Sequence, residues 1–360
     1  MARRLTTGFE LGEVAENNGV VVQSLGGLVI STEKRTGNYC WRALNSTPTT
    51  LSFNYFSQVF SDDPDELYMR YAYRCTAGNP TSLPNMMWAL KDGGGNCHLA
   101  LGINSLDLIP VLYQGGGDVL GQTSPVAIGT ATKNLQTNRW AILEVQAKID
   151  SAAGTCVVKL NNTTILSFTG DTSAGTDAIR TLEFGARGAT TGAGLDGIYY
   201  DDIAVNDTTG NYENTWPGLG GVFLLKPTAE GATTTWDTST GTTHYTLVDD
   251  VPANTTDWIQ ALDTGEIDLF ELEDAPTYVN QINLVEVMYQ AAVAESGYNI
   301  MTDVLRDGTV NYTDGTSTVV SIAPGYDLYK GTAYYRRPAD GTTAWGTADV
   351  NALQAGVQIL

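Results

Sequence analysis

Histidine, basic side chains and long apolar runs are what this sequence has least of. Its 360 residues include two histidines, His98 and His244, and 19 lysines and arginines against 40 acidic residues, for a formal net charge of −21. Two histidines so far apart disfavour a zinc site and a Ser-His-Asp hydrolase. The acidic surplus repels nucleic-acid phosphates and anionic lipid headgroups, so neither nucleic acid nor a membrane is an expected partner.

The apolar runs are too short for a membrane span, which needs roughly 20 residues. The amino terminus, MARRLTTGFELGEV, has no apolar run of signal-peptide length behind its two arginines. We therefore expect a protein that stays in the cytosol or leaves it by lysis. Its cysteines lie in strand-like runs without CxxC spacing and are expected to be reduced core thiols: Cys40, Cys75, Cys97 and Cys156.

Short β-type segments separated by turn residues fill the chain. Hydrophobic residues make up 42% of it, and runs such as WAILEVQAKID alternate with clusters of Gly, Asn, Asp and Thr, a pattern typical of a sandwich or barrel. Alternation predicts that Glu144, Gln146 and Lys148 lie on a solvated face. Most aromatic side chains are expected to fill the core, including Trp41, Trp88 and Trp140.

Two other segments carry specific secondary-structure predictions. INLVEVMYQAAVA is rich in Val, Ile and Tyr and predicts a long strand rather than a helix. ADVNALQAG, near the end of the chain, is the one predicted helical segment, with Thr347 as its cap.

A turn-rich segment, TTGNYENTWPGLGG, interrupts the strand pattern after Asp207. A chain of this length usually needs more than one hydrophobic core, so we place a domain boundary in this segment. The predicted fold class is all-β, with two antiparallel β-sandwich (jelly-roll) domains at residues 1–210 and 211–360.

The first predicted domain resembles laminin G-like, or concanavalin A-like, jelly rolls. The resemblance rests on the order of ELYMRYAYR, RWAILEVQAKIDSAAGTCVVKLNN and GIYYDDIAVNDTTG. In that family a Trp-led strand is followed by a hairpin whose turn carries Asp and Gly, here Asp150 and Gly154, and a closing strand, here with Asp201 and Asp202, returns beside the first. The resemblance implies a fold but no ligand, because this fold hosts lectins, adhesion modules, glycosidases and structural domains.

The second half looks like the carboxy-terminal half of structural proteins encoded in tailed-bacteriophage genomes. Three sequence segments carry this resemblance: the connection around Trp216, YTLVDDVPANTTDW, and the final segment WGTADVNALQAGVQIL. It implies a virion component, on the head (capsid decoration or head fibre) or on the tail. The expected partners are other virion proteins, copies of the same chain in a homo-oligomer, and host surface glycans, and the expected location is the virion, assembled in the host cytoplasm.

One short segment, GEIDLFE, resembles the catalytic strand of laminarinase-type and lichenase-type retaining glycosidases. That resemblance casts Glu266 as nucleophile, Asp268 as the assisting acid and Glu271 as acid/base. A bulge is needed to bring Glu271 to the face of the other two, because side chains alternate along a strand. The motif begins only about 55 residues into a small second domain, so the leading prediction is a non-enzyme without cofactor, and a retaining β-glucanase is the alternative.

Two acidic groups and the aromatics suggest further sites. Asp62, Asp63, Asp65 and Glu66 form an acidic turn with oxygen ligands of the kind Ca²⁺ prefers, but the spacing is not that of an EF-hand. Simple solvation is predicted for this turn and for the Asp201-Asp202 pair, so no metal site is assigned. A third hypothesis for function is a lectin-like host adhesin that uses the first domain.

Overall fold

The computed structural model describes residues 3–11, 20–24, 28–43, 52–76, 85–103, 107–115, 126–174, 178–188, 197–293, 300–313, 317–320 and 326–360. The chain divides into two compact units, the first ending at Val222 and the second running from Phe223 to Leu360. Among the described residues, no helix is long and apolar enough to cross a membrane. Both units are built of antiparallel strands, so the all-β prediction is confirmed.

The first unit consists of short strands joined by turns. Its strands are β1 (Arg3–Thr7), β2 (Val20–Ser24), β3 (Leu28–Ile30), β4 (Cys40–Ala43), β5 (Ser52–Val59), β6 (Glu66–Cys75), β7 (Asn85–Lys91), β8 (Cys97–Ile103), β9 (Pro110–Gln114), β10 (Val126–Thr130), β11 (Ala141–Lys148), β12 (Gly154–Leu160), β13 (Thr163–Gly170), β14 (Thr181–Gly188) and β15 (Ile198–Asp207).

These strands form two sheets. One has the order β13-β12-β11-β6-β15-β4-β3, with β1 also paired to β15, and the other has the order β10-β9-β8-β7-β14-β5-β2. Every described strand pair in them is antiparallel. Neighbours in space are often distant in sequence, as in a sandwich whose chain crosses repeatedly between its two sheets.

The core lies between these sheets, because one buried cluster takes side chains from both of them. At its centre the Tyr200 ring contacts Trp41, Tyr73 and Phe184, and its hydroxyl donates to the carbonyl of Met87 at 2.9 Å. Trp41 and Trp88 are buried as predicted. All four cysteines are buried and free, which confirms the prediction of core thiols.

Trp140 departs from its prediction because it is half-buried outside that cluster. It packs edge-on against Tyr199, with 6.5 Å between ring centroids. Tyr199 precedes the core residue Tyr200 and therefore points to the opposite face of the sheet. Trp140 thus covers an outer face rather than filling the interior.

The segment from 208 to 222, which we call the strap, belongs to the first unit. The amide of Asn206 donates to the carbonyl of Thr215, and the Gly218 N–H donates to Glu144 Oε1 at 3.0 Å. Trp216 contacts Tyr68 edge-on and carries the Lys159 ammonium 3.4 Å from its centroid. The boundary between the two units therefore lies twelve residues beyond the predicted end of the first domain at 210, because these contacts attach the strap to the first unit.

The strap also corrects the prediction for the polar face of β11. Glu144 and Gln146, expected in solvent, are 2% and 8% exposed. Glu144 pairs across the sheet with Arg70, which is buried on the same face and donates to the carbonyls of Asp202 and Gly218. The alternation pattern correctly predicted that these side chains point away from the core. The strap covers them, however, and shields them from solvent.

The second unit has shorter and less regular strands. They are β16 (Pro227–Thr234), β17 (Asp237–Thr238), β18 (Ile259–Gln260), β19 (Ile267–Leu272), β20 (Val285–Ala291), β21 (Ile300–Asp307), β22 (Val310–Tyr312), β23 (Thr318–Val319), β24 (Asp327–Tyr334) and β25 (Gln354–Ile359). A 3₁₀ turn covers Tyr245–Leu247, and one short helix, α1, covers Thr347–Val350.

The main sheet of this unit has the order β16-β19-β25-β21-β22, with β23 also paired to β21. Separate two-stranded ladders join β17 to β18 and β20 to β24. The INLVEVMYQAAVA segment forms strand β20, as predicted. Two small clusters serve as cores, one around Trp236, Met301 and Ile359 and the other around Leu305 and Trp345.

The predicted helix near the end of the chain is shorter than expected. Gly346, not Thr347, is its cap, and the Gly346 N–H donates to Asp349 Oδ2 at 2.9 Å. The chain then enters β25, which pairs with β19 on one side and β21 on the other. Pairing on both sides is a tertiary constraint that outweighs the local helical tendency of this segment.

Candidate functional site

The glycosidase-like segment is split between two faces of the second unit's sheet. Glu266 accepts hydrogen bonds from the N–H groups of Leu262 and Asp263, at 2.8 and 3.2 Å, and so caps a turn. Asp268 is fully buried, whereas Glu271 is exposed. The β19–β25 pairing runs from Ile267 to Glu271 without a register shift, so Asp268 and Glu271 point to opposite faces.

That geometry does not assemble the carboxyl pair of a retaining glycosidase. The mechanism needs two carboxyl groups about 5–5.5 Å apart and facing the same sugar. The required bulge is not found in the described β19–β25 pairing. Glu266, Asp268 and Glu271 therefore have three separate roles: a turn cap, a buried acceptor and an exposed side chain.

Asp268 instead forms a close pair with His244, a contact that the sequence did not suggest. His244 Nδ1 donates to Asp268 Oδ2 at 2.5 Å. The other carboxylate oxygen accepts the N–H groups of Thr235 and Trp236, at 2.6 and 2.9 Å, and the His244 N–H donates to Glu230 Oε1 at 2.6 Å. Because these further contacts are backbone amides, the pair fastens the chain around residues 235–244 to β19.

His98, the other histidine, also has a structural environment. Its Nδ1 accepts the N–H of Ala174 at 2.9 Å, and Nε2 lies 2.8 Å from the carbonyl of Ala178. An acceptor role at Nδ1 places the ring proton on Nε2, where it donates to that carbonyl. The ring is fully buried, and both nitrogens are engaged by backbone.

Asp201 and Asp202 are the strongest correction to the sequence analysis. Both were expected in solvent, but they are 0% and 1% exposed. A register shift in the β15–β6 pairing lies between Asp201 and Ala204, and Asp202 has a φ of 53°. The irregular backbone turns both carboxylates inward, toward the loop that follows β3.

Asp202 holds three parts of the first unit together. Its Oδ2 forms an ion pair with Arg35. Its Oδ1 accepts the Thr36 hydroxyl and the N–H of Val222, the latter at 2.7 Å. A buried charge is tolerated when it is paired and fully hydrogen-bonded, and Asp202 meets that condition.

A row of side chains crosses the outer face of the sheet that contains β7 and β8. Register places Ser57, Glu183, Ala89, Ala100 and Tyr113 side by side. Glu183 forms an ion pair with Lys91 at 2.9 Å, and the alanines pack with Met86 and Cys97 against Tyr113. The row combines one aromatic ring, one ion pair and a flat floor of small side chains.

The acidic turn at residues 62–66 is engaged by arginines. Arg4 pairs with Asp62 and with Asp207, and Arg180 pairs with Asp63 at 3.1 Å. Asp62, Asp63 and Asp65 are exposed, in keeping with the predicted solvation. Across the described residues, no three His, Cys, Asp or Glu side chains already converge as a metal-ligand set.

Comparison with known proteins adds fold likeness only. No family model matches this chain, and no curated protein matches it. Among solved structures, the cellulose-induced protein Cip1 is 15% identical, with a TM-score of 0.44 over 60% of this chain and 100% of its own. A carbohydrate esterase, vb_24B_21, of the Shiga toxin-encoding bacteriophage phi24B is 16% identical, with a TM-score of 0.41 over 57% of this chain and 97% of its own.

A third structure, of botulinum neurotoxin type C, is 9% identical, with a TM-score of 0.41, and the match covers 57% of this chain and 47% of that one. At these TM-scores the likeness carries no argument about ligand or activity.

Proposed function

We propose that this protein is a non-catalytic structural component of a bacteriophage virion, on the head or the tail, that acts by binding neighbouring subunits. The observation that supports this proposal is the distribution of exposed apolar side chains. Within the described residues, large exposed hydrophobics in the first unit are Val126 and Leu219, whereas those of the second unit are Trp258, Leu262, Tyr278, Ile300, Val310, Val319, Tyr326 and Leu360.

Three of these side chains form what we call the apolar row, at one end of the second unit's main sheet. Val319 pairs with Ile300, and the N–H of Leu360 donates to the carbonyl of Ile300 at 2.9 Å. The Met301–Ile359 register next to it places Ile300 and Leu360 opposite each other, so all three share one face. Their exposures are 63%, 38% and 48% for Val319, Ile300 and Leu360.

Adjacent apolar groups on a sheet face are typical of a surface that another subunit covers. A virion presents each subunit in many copies, so contacts that are individually weak gain avidity. The same logic supports a homo-oligomer or a contact with a different virion protein. Catalysis is not part of the proposal, because the three carboxylates of the glycosidase-like segment have other roles.

Mass spectrometry of purified particles tests the proposal directly. Particles produced from the genome that encodes this chain are expected to contain it in stoichiometric amounts. Its absence from washed, infectious particles would contradict a virion role.

A matched pair of variants tests the surface. Val319→Ser combined with Leu360→Ser is expected to reduce incorporation into particles. Val126→Ser replaces an equally exposed valine of the first unit and is expected to leave incorporation unchanged. Equal incorporation of both variants would remove the apolar row from the proposal.

Glycan binding by the first unit is a second candidate function. It is suggested by the row of side chains from Ser57 to Tyr113 on the outer face of the sheet that contains β7 and β8. Tyr113, half-buried at one end of this row, offers a ring face on which a sugar can stack, while the buried Glu183 lies three strands away. Tyr113→Ala is expected to abolish binding on a glycan array, with Tyr39→Ala as a half-buried tyrosine control. If the unaltered chain binds no glycan on the array, this second candidate is excluded and only the structural role remains.

A further inference from the structure

Trp258 differs from the other tryptophans in its exposure on the surface of the second unit. The sequence contains seven tryptophans, all of them within the described residues. Six are buried or half-buried, whereas Trp258 is 39% exposed. A single exposed apolar side chain is common on protein surfaces, so the groups that lie beside this ring decide whether it forms a site.

Strands β17 and β18 place three polar side chains beside the ring. Asp237 pairs with Gln260, and two residues further along, the Ser239 N–H donates to the Trp258 carbonyl at 2.9 Å. Directly opposed residues share a face, and side chains alternate along each strand. One face of this ladder, which we call the indole face, therefore carries Asp237, Ser239, Trp258 and Gln260. All four are exposed.

The opposite face of this ladder is anchored in the second unit. Ile259 of β18 packs against the buried cluster that contains Trp236. Trp236 directly precedes β17, and its N–H donates to the buried Asp268 carboxylate at 2.9 Å. The two strands are therefore held from behind, and a ligand on the indole face would have little backbone to order.

The indole face offers hydrogen-bonding groups of both kinds. Within the described part of the chain, the Asp237 carboxylate, the Gln260 amide and the Trp258 indole N–H have no hydrogen-bond partner. Ser239 Oγ accepts the Trp258 backbone N–H at 2.8 Å, so its hydroxyl proton remains to be donated. Donors and acceptors that only solvent satisfies thus lie beside one flat apolar ring.

We propose that the indole face binds a neutral hexopyranose unit of a glycan, with the sugar ring stacked on Trp258 and its hydroxyl groups bonded to the three polar side chains. A pyranose presents C–H groups on one face and hydroxyl groups around its edge, and the indole provides apolar contact area for that face. The hydroxyl groups both donate and accept, and donation to the Asp237 carboxylate is a charge-assisted hydrogen bond, stronger than one between neutral groups. The site does not rest on the virion role proposed above.

Charge and polarity favour a neutral sugar over other ligands. The formal net charge of the chain is −21, and Asp237 adds a negative group beside the ring, so an acidic glycan or a nucleotide would be repelled. An apolar protein surface would cover the three polar side chains without replacing their hydrogen bonds to water, which is costly. The indole face shares no residue with the apolar row, so variants separate the two surfaces.

The test is an array of neutral and sialylated glycans, probed with the full chain displayed on fluorescent beads. Many copies on one bead engage weakly held sugars together, so that a shallow site gives a measurable signal. Binding to glycans that end in a neutral hexose is expected. A chain that binds no neutral glycan, or binds the sialylated ones only, overturns the proposal.

Variants locate the sugar. Trp258→Ala is expected to weaken binding about tenfold or more, and Asp237→Ala about twofold to tenfold. Tyr278→Ala removes an aromatic ring that is 67% exposed in the same unit and is expected to leave binding unchanged. Binding that survives in Trp258→Ala, or that is lost in Tyr113→Ala instead, places the sugar elsewhere and overturns the proposal.

Tryptophan fluorescence gives a second readout that depends on the ring itself. The array glycan with the strongest signal is expected to shield the unaltered chain from acrylamide quenching, because a stacked sugar covers Trp258. In Trp258→Phe the remaining six tryptophans are buried or half-buried, so the same glycan is expected to leave quenching unchanged. Equal shielding of the two chains overturns the assignment to this ring.

Discussion

The first unit buries several charged side chains and exposes few large apolar ones, whereas the second unit exposes more apolar side chains and buries fewer charges. Under the strap, Arg70, Glu144 and Asp202 are almost inaccessible. The described acidic side chains that are buried in the second unit are Asp268 and Asp303. One large core and a covered polar face stabilise the first unit, whereas the second unit has two small cores and a larger set of exposed apolar side chains.

The largest expected effect is on the core of the first unit. Phe184→Ala removes a ring that stacks on Phe56 and touches Tyr200, and it is expected to cost about 3–5 kcal/mol of unfolding free energy. Hydrogen exchange of the β14 and β5 amides measures it. Leu262→Ala, at an exposed position of the second unit, is the control and is expected to change stability by less than about 0.5 kcal/mol.

A smaller effect is expected at the buried carboxylate of the second unit. Asp268→Ala leaves the N–H groups of Thr235 and Trp236 and the His244 ring without their acceptor, at a cost of about 1–3 kcal/mol. Thermal unfolding measures this loss. Glu271→Ala, in the same strand but exposed, is expected to melt like the unaltered chain.

Glu266, in the same segment, tests the enzyme hypothesis. A reducing-sugar assay on β-1,3 and β-1,4 glucans is expected to give no product with the unaltered chain. If the unaltered chain forms product and Glu266→Gln does not, the glycosidase hypothesis is supported instead.

The pH dependence of stability separates the two units further. The folded first unit binds protons on Glu10 more tightly than the unfolded chain does, because burial raises the pKa of Glu10 to about 7. Stability is therefore expected to fall as pH rises from about 5 to about 8. Melting curves of the first unit over this pH range should show the fall. A first unit that becomes more stable over that range would contradict the assigned environment of Glu10.

The smallest effect is expected at the exposed ion pair of the acidic turn. Arg180 and Asp63 are 40% and 46% exposed, so Asp63→Asn is expected to lower stability by no more than about 0.5–1 kcal/mol, and less at high salt. Denaturant titration at two salt concentrations measures it. A loss above about 2 kcal/mol would mean that the turn is part of the buried network.

The features that the sequence predicted well are those set by local alternation. The β-class, strand β20 and the buried cysteines all follow from residue types and their spacing. Glu144, Asp201 and Asp202 were wrongly predicted to be exposed. Their burial depends on the strap and on the loop at Arg35, and the alternation pattern within a single strand carries no information about such distant segments. The His244–Asp268 pair joins residues of different segments, and a single sequence gives no signal for such a contact.

The anchoring of Val222 has a mechanical consequence. Its N–H is bonded to Asp202 in β15, which lies inside its sheet between β6 and β4. Tension applied to the chain beyond residue 222 would therefore first meet a hydrogen bond to a buried carboxylate of an interior strand. Release of the strap is expected to begin at this bond, and not by fraying of an edge strand.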